Sequence, residues 1–264
     1  MPVLLEKLRA DGVLEFRLNR PDKRNALNQE LVELLTDAFA RASVSDDVRA
    51  VVLAAEGKVF SAGADLESLR AMQTATREDN ERDSRLLSAM FDAILSNSKP
   101  VIARVHGHAI AGGCGLVAAC DFAVGATGAR LGFTEVGIGF VPAIVTVIAA
   151  AKLRGSDVRR LTLTGSLISA KEAERIGLLS RTVDAEDLDP AVDELVDTMA
   201  GVSSQAVSLT KQLLVRIYGR PFSQALDEGA EVNVLARESD DCREGVAAFL
   251  EKRQPAWKPN TGRP

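Results

Sequence analysis

FSAGADL at residues 60–66 and HGHAIAGGCGLVAACD at residues 106–121 decide the reading of this chain. Each carries glycine and alanine where a larger side chain would crowd a ligand, so each offers free backbone N–H groups. Two such donors converging on one oxygen form an oxyanion hole, worth roughly 2.7–4 kcal/mol of transition-state stabilisation per donor in well-measured cases. The pair of segments points to acyl-group chemistry.

The composition agrees with a folded globular chain. The 264 residues are 46% hydrophobic and 26% charged, enough to bury a full core in one large domain or one domain with an appendage. Thirty-two Lys and Arg against 37 Asp and Glu leave a net charge of −5, which argues against a general nucleic-acid or membrane-surface binder. Any anionic ligand must be met by locally placed cations. Cys114, Cys120 and Cys242 make an odd number without CxxC spacing, so neither a disulfide framework nor a zinc site is supported. The longest apolar run, residues 140–151, contains Pro142 and falls short of the ~20 residues a membrane span needs. With Glu6 and Asp11 near the N-terminus and no long apolar stretch there, a cytoplasmic location is expected.

Outward from the two glycine segments, the pattern is one of short strands and helices. Residues 3–9 and 13–19 alternate as two strands of a hairpin. Asn28 is placed to cap a helix carrying Leu31, Leu34, Leu35, Ala38 and Phe39. AVVLAA at 50–55 reads as a buried strand ending at Gly57, and residues 101–105 as another, feeding a turn at Gly107 and a helix from near Gly112. Residues 122–125 form a further strand. The charge-mixed stretch 73–85 reads as an irregular or mobile helix in front of the site, and 86–95 as a regular amphipathic one. Ser169 and Glu172 form an S-x-x-E capping box. Four periodic segments at 191–199, 204–218, 222–236 and 241–253 make the last third helical, with a Pro- and Gly-rich tail at 255–264 that is expected to fray. Repeated strand, turn and helix predict an α/β fold with a parallel component.

NRPDKRNALN (19–28), FSAGADL, KPVIARVHGHAIAGGCGLVAACD (99–121), FTEVGIGFVP (133–142) and EGVAAFLEKR (244–253) together resemble the enoyl-CoA hydratase/isomerase, or crotonase, family. The motifs run in order over nearly the whole chain. The resemblance implies a crotonase-like spiral of ββα units over residues 1–200 and a C-terminal helical oligomerisation region over 201–264, assembled as a homotrimer or homohexamer. It implies stabilisation of an enolate formed from an acyl-CoA thioester. By motif position, the oxyanion donors resemble the N–H groups of Ala64 and Gly112, and the catalytic carboxylate resembles Glu135, whose apolar neighbours should raise its pKa. CoA would be met by Lys23, Arg24 and Ala26 before the first helix, by Ala62, Gly63, Asp65 and Leu66, with Gly115 beside the acyl group. Phe249 and Lys252 would reach the nucleotide end, from a neighbouring subunit in some arrangements. CoA enters as part of the substrate, and neither a further cofactor nor a metal is expected.

At one position the chain departs from the family's best-known hydratases. These carry a second glutamate three residues after the oxyanion glycine, in a GGGCE-type run; here Gly115 stands there. Two enzymatic readings remain. In one, Glu135 alone activates water for addition to a 2-enoyl-CoA, as the likeness of GCGLVAACD and the EVGIG-x-VPA run to the methylglutaconyl-CoA hydratase-like bacterial branch suggests, placing the chain in fatty-acid or branched-chain acyl-CoA breakdown. In the other, Glu135 shuttles a proton between C4 and C2, as a Δ3,Δ2-enoyl-CoA isomerase. A third reading, of another class, is a low-activity acyl-CoA-binding scaffold. The H-x-H pair of His106 and His108 is better explained as part of a turn than as a metal site, Asp121 as a turn anchor, and Cys114 as a packed residue close enough to the site to be alkylated.

Overall fold

Alternation builds the first hairpin: β1 (Leu4–Leu8) pairs antiparallel with β2 (Val13–Leu18), Leu4 opposite Leu18. The computed structural model describes residues 1–258, so the expected fraying of the tail lies, from residue 259 onward, outside the described residues. α1 (Gln29–Val44) follows, with the Asn28 side chain accepting the Leu31 N–H, and buries Leu31, Leu35, Ala38 and Phe39. β3 (Ala50–Ala55) is buried at every position, as strands covered on both faces are.

After α2 (Leu66–Met72), the chain enters α3 (Arg77–Leu95), a single regular helix closed at its start by a reciprocal capping box between Thr76 and Asp79. The irregular segment expected at 73–85 is thus confined to the short link between α2 and α3. Charge mixing along 77–85 reflects a solvated face, held by i,i+3 and i,i+4 pairs such as Arg77–Glu81 and Arg82–Asp79.

β4 (Val101–Val105), β5 (Ala109–Ile110), α4 (Gly112–Ala119), β6 (Phe122–Ala126) and β7 (Arg130–Gly132) come next. α5 (Ala143–Lys152), α6 (Gly155–Thr164), β8 (Ile168–Ser169), α7 (Ala170–Arg175) and β9 (Arg181–Val183) complete the core chain. Only half of the capping box expected at Ser169 forms: its hydroxyl accepts the Glu172 N–H, but the Glu172 carboxylate is taken by Arg160 and Arg175. The main sheet has the order β1-β2-β3-β4-β6-β9 and is parallel from β2 onward. A second, three-stranded sheet has the order β5-β7-β8.

The period-2 alternation of the strands sends their side chains to two cores. Val51, Leu53, Val101 and Ala103 face α1, α3 and α4, while Val52, Ile102 and Val124 face α8 (Leu188–Ala200). α9 (Ser204–Ile217), α10 (Phe222–Glu238) and α11 (Asp240–Glu251) form the helical last third and bury few residues against this core. Phe222 is 79% exposed, Phe249 82% and Leu250 73%, an apolar surface the single chain leaves open.

A buried ion pair fastens α9 to the core. Lys211 Nζ donates to Asp121 Oδ2 at 2.7 Å and to the carbonyls of Lys99 and Ile94, and the same carboxylate oxygen accepts the Val101 N–H at 2.7 Å. Asp121 therefore anchors the junction of β4 and β6 to the last third. Removing one partner of such a pair strands the other's charge in a dry setting, so Asp121→Ala should lower the unfolding free energy by about 3 kcal/mol, read from urea denaturation. Loss within a few tenths would show that the pair is not what holds α9.

Candidate active site

The site is built from four pieces of backbone. The first is the loop before α1, a 3-10 turn at Pro21–Lys23 followed by Arg24 and Asn25, both at positive φ. Asn25 is fully buried and ties this loop down: its amide donates to the carbonyls of Glu56 and Val59 and its Oδ1 accepts the Arg20 N–H. Ser61 Oγ donates to the Asn25 carbonyl, joining the loop to the second piece, residues 60–66.

Between these two pieces runs a one-residue parallel bridge. Leu27 N–H donates to Gly63 O at 2.7 Å, and Asp65 N–H donates to Leu27 O at 3.0 Å. In this pattern the intervening residue, Ala64, turns its own N–H away from Leu27. Ala64 is exposed, whereas Gly63 and Asp65 on either side are buried.

The third piece is the entry to α4. Ile110 N–H donates to Ser61 O, Ala111 N–H to Gly132 O, and Ala111 itself sits at φ 51°, ψ −124°, rotating the chain from β5 into the helix. Gly112 is the first residue of α4, where N–H groups have no intrahelical acceptor and the helix dipole is positive. The two glycine segments touch directly. A methyl group on Gly63 (φ 87°) would lie 2.7 Å from Ala111 Cβ and 3.2 Å from Gly112 N, and one on Gly113 only 2.5 Å from Ser61 O. Only glycine allows this approach.

The fourth piece follows β7. Because β5 and β7 run parallel, with Ile110 opposite Gly132, the chain leaves β7 beside the start of α4 and enters a 3-10 turn at Glu135–Ile138 closed by Gly139. Glu135 is half-buried and its Oε2 is a buried oxygen without a partner. Burial pushes its carboxyl above the usual glutamate value, partly offset by a hydrogen bond from its own backbone N–H. A proton carrier with an open oxygen and a raised pKa suits acid–base work near neutral pH.

The structure packs the loop holding Ala62, Gly63 and Ala64 against Ala111 and Gly112, and Glu135 follows β7, the strand paired with β5; Lys23, Arg24 and Ala26 lie on the loop before α1 and Leu66 opens α2. Lys23 is exposed and 3.1 Å from Glu67, Arg24 and Leu66 are exposed, and Ala26 is buried. Asp65 needs correction as a CoA contact. Its carboxylate is 4% exposed and taken by Arg20, 2.9 Å away, and by the Glu67 N–H. Burial alone would raise its pKa, but the Glu67 N–H and the Arg20 guanidinium outweigh it and hold the carboxyl below its usual value. Asp65 is thus a loop brace.

Gly115 is corrected likewise. It is fully enclosed, and a methyl there would lie 2.5 Å from Val145 Cγ1 and 3.0 Å from Phe91 Cζ. Two apolar side chains occupy the space where a second carboxylate would project. Cys114, next to it, is wholly buried and burial pushes its thiol far up, so the expected sensitivity to alkylation does not hold.

Phe249 and Lys252 do not join the other residues within one chain. Trp257, just beyond α11, packs on Gly245, and its carbonyl accepts from Arg49 at the start of β3; the loop 60–66 follows the opposite end of that strand. His106 Nε2 lies 3.0 Å from Gly57 O and His108 Nδ1 accepts the Arg130 N–H, and no metal-holding cluster occurs among the described residues. No helix among them is long and apolar enough to cross a membrane.

Sequence reading missed Arg20, Asn25, Leu27, Phe91 and Val145. The first three lie in the quoted NRPDKRNALN run, whose buried asparagine after a cationic pair was the available signal. Phe91 lies in the amphipathic segment 86–95 and Val145 in the apolar run 140–151, and only the fold sets them over Gly115.

The comparisons with known proteins agree with this geometry. The enoyl-CoA hydratase/isomerase family model matches residues 9–260. A Thermus thermophilus relative carrying an enoyl-CoA hydratase name is 39% identical over 240 residues, covering 91% of this chain and 95% of that one. Crotonyl-CoA hydratase of Syntrophomonas wolfei is 33% identical over 254 residues, covering 96% of each. The crystal structure of an enoyl-CoA hydratase from Mycobacterium smegmatis superposes with a TM-score of 0.91 at 35% identity, covering 97% of this chain and 99% of that one. With its crotonase fold and its matched motifs, the chain belongs to the enoyl-CoA hydratase/isomerase, or crotonase, family of enzymes.

Proposed function

We propose that this enzyme adds water reversibly to a 2-enoyl-CoA thioester, with the thioester oxygen held between the N–H groups of Ala64 and Gly112. The observation that carries the reading is the close approach of Gly63 to Ala111 and Gly112, which packs the loop bearing Ala64 against the start of α4; the buried, unpartnered oxygen of Glu135, on the turn after β7, supports it. Glu135 takes a proton from water as the oxygen adds to C3, negative charge grows on the thioester oxygen, and the same carboxyl returns the proton to C2. The positive end of α4 favours that charge. The hydratase names of the relatives support this direction of chemistry.

CoA is proposed to lie along Lys23, Arg24, Ala26, Ala62 and Leu66, with Phe249 and Lys252 supplied by a neighbouring subunit. The open apolar surface of α10 and α11 supports a homotrimer or homohexamer. The reading needs no cofactor beyond the CoA of the substrate, and three free cysteines suit a reducing compartment such as the cytoplasm.

A second reading has its own support. Phe91 and Val145 leave no room for a second carboxylate at Gly115, and one carboxylate suffices for a Δ3,Δ2-enoyl-CoA isomerase. Pure protein with crotonyl-CoA and with 3-hexenoyl-CoA separates the two: loss of conjugated-enoyl absorbance from the first supports hydration, and its appearance from the second supports isomerisation. No change with either ester, despite binding, would support a scaffold.

Glu135→Gln should leave KM for crotonyl-CoA near its original value and lower kcat by about 10²- to 10⁴-fold; undiminished turnover would remove Glu135 from the mechanism. In the wild type, kcat/KM for hydration should fall as pH is lowered through the Glu135 pKa, because the base must be ionised. Burial raises that pKa, so the midpoint should lie above the ordinary glutamate value. A limb at or below that value would contradict the assignment.

A further inference from the structure

The two N–H groups proposed to hold the thioester oxygen are backed differently. Gly112 opens α4, so its N–H sits at the positive end of a helix dipole. Ala64 lies one residue before Asp65, the cap of α2, and so outside that helix. Behind its N–H runs a chain of peptide groups that leads back to a mostly buried cation, Arg20.

A trans peptide group is planar, so its C=O and the N–H that follows point in opposite directions. The Gly63 carbonyl accepts the Leu27 N–H at 2.7 Å, and the Ala64 N–H, in the same plane, points the other way. The Leu27 N–H in turn shares its plane with the Ala26 carbonyl, which accepts from Arg20 Nη1. From the guanidinium to Ala64, acceptor and donor therefore alternate through two peptide units. A second nitrogen of the same guanidinium, Nη2, holds Asp65 Oδ2 at 2.9 Å, on the residue after Ala64. The cation thus grips both sides of the bridge between Leu27 and residues 63–65, with its side chain 13% exposed and that of Asp65 4%. The main chain of Arg20 is engaged separately: its N–H donates to Asn25 Oδ1 and its carbonyl accepts the Lys23 and Asn25 N–H groups, contacts that any side-chain substitution leaves in place.

We infer that Arg20 is a positioning residue for the oxyanion hole: through the Ala26–Leu27 and Gly63–Ala64 peptides its guanidinium aims the Ala64 N–H and polarises it. Hydrogen bonds in series strengthen one another in a low-dielectric setting, and a series that begins on a cation is stronger than a neutral one. Positive charge at the head of the chain counts most when negative charge grows at its tail, so the effect falls on the transition state more than on binding of the ester. The planar fork of arginine serves two acceptors at a fixed spacing, which a lysine ammonium reproduces only in part. This role rests on the acyl-CoA reading above and adds to it a residue that acts through the backbone.

Kinetics on whichever of crotonyl-CoA and 3-hexenoyl-CoA the wild type converts, together with a spectrum of the bound carbonyl, test it. Arg20→Gln should lower kcat about tenfold, a fraction of the roughly 10²- to 10³-fold lost with a whole oxyanion donor, while KM and the dissociation constant of free CoA stay within twofold. Arg20→Lys, which keeps the charge, should recover part of the loss. In infrared difference spectra of bound butyryl-CoA carrying ¹³C at its carbonyl, the C=O stretch should move in Arg20→Gln from its wild-type frequency towards that in water. Where Arg20→Gln fails to fold because Asp65 is left without a partner, the double variant Arg20→Gln, Asp65→Asn removes that charge, keeps an asparagine cap on α2 and should show the same loss. A folded variant with the wild-type kcat and carbonyl frequency would overturn the inference and leave the acyl-CoA reading intact. Weaker binding of the ester and of free CoA at an unchanged kcat would assign Arg20 to the CoA loop and also overturn it. A wild-type carbonyl at its frequency in water, with neither ester converted, would overturn both.

Discussion

Gly63 packs so closely on the Ala111–Gly112 step that no side chain fits between them, and the rest of the site depends on that contact. A side chain on Gly63 or Gly113 would drive the loop 60–66 away from the start of α4. With the contact made, the loop that carries Ala64 lies against the start of α4 at Gly112, although the two are far apart in sequence. Much of the surrounding fold holds this approach. Asn25 and Ser61 fix the loop from one side, Arg20 and Asp65 brace it from below, and the ladder from Ser61 through β5 to β7 sets the direction from which α4 begins.

The apolar filling around Gly115 gives the site its particular character. In place of a second carboxylate there are Phe91 and Val145, and Glu135 has a buried oxygen without a hydrogen-bond partner. Its carboxylate is destabilised by burial with no neighbouring cation to offset it, which moves its proton affinity toward the range useful for transfer at neutral pH.

Much of this was legible in the sequence because its signals are local. The hairpin, the Asn28 cap, β3, β4 and the helices of the last third follow from alternation, capping and helical spacing, each expressed within a few neighbouring residues. The strands β5, β7 and β8 escaped notice since two or three residues carry no readable period. α3 was read as irregular over its first half because its exposed face is charged, which hides the period of the apolar stripe. Asp65 drew attention as a polar residue in a binding loop; its partner Arg20, forty-five positions earlier, is visible only in three dimensions. The family resemblance supplied what local patterns lack, the likeness of widely spaced motifs to one known arrangement.

The central claim is that two main-chain amides meet on one thioester oxygen, and it can be read on the oxygen itself. Isotope-edited infrared difference spectra of butyryl-CoA labelled with ¹³C at its carbonyl, free and bound to this enzyme, report the hydrogen bonds that oxygen receives. Two converging donors should polarise the C=O bond and move its stretch to lower frequency than in water. A bound carbonyl absorbing at or above its frequency in water would mean that the amides of Ala64 and Gly112 do not meet there.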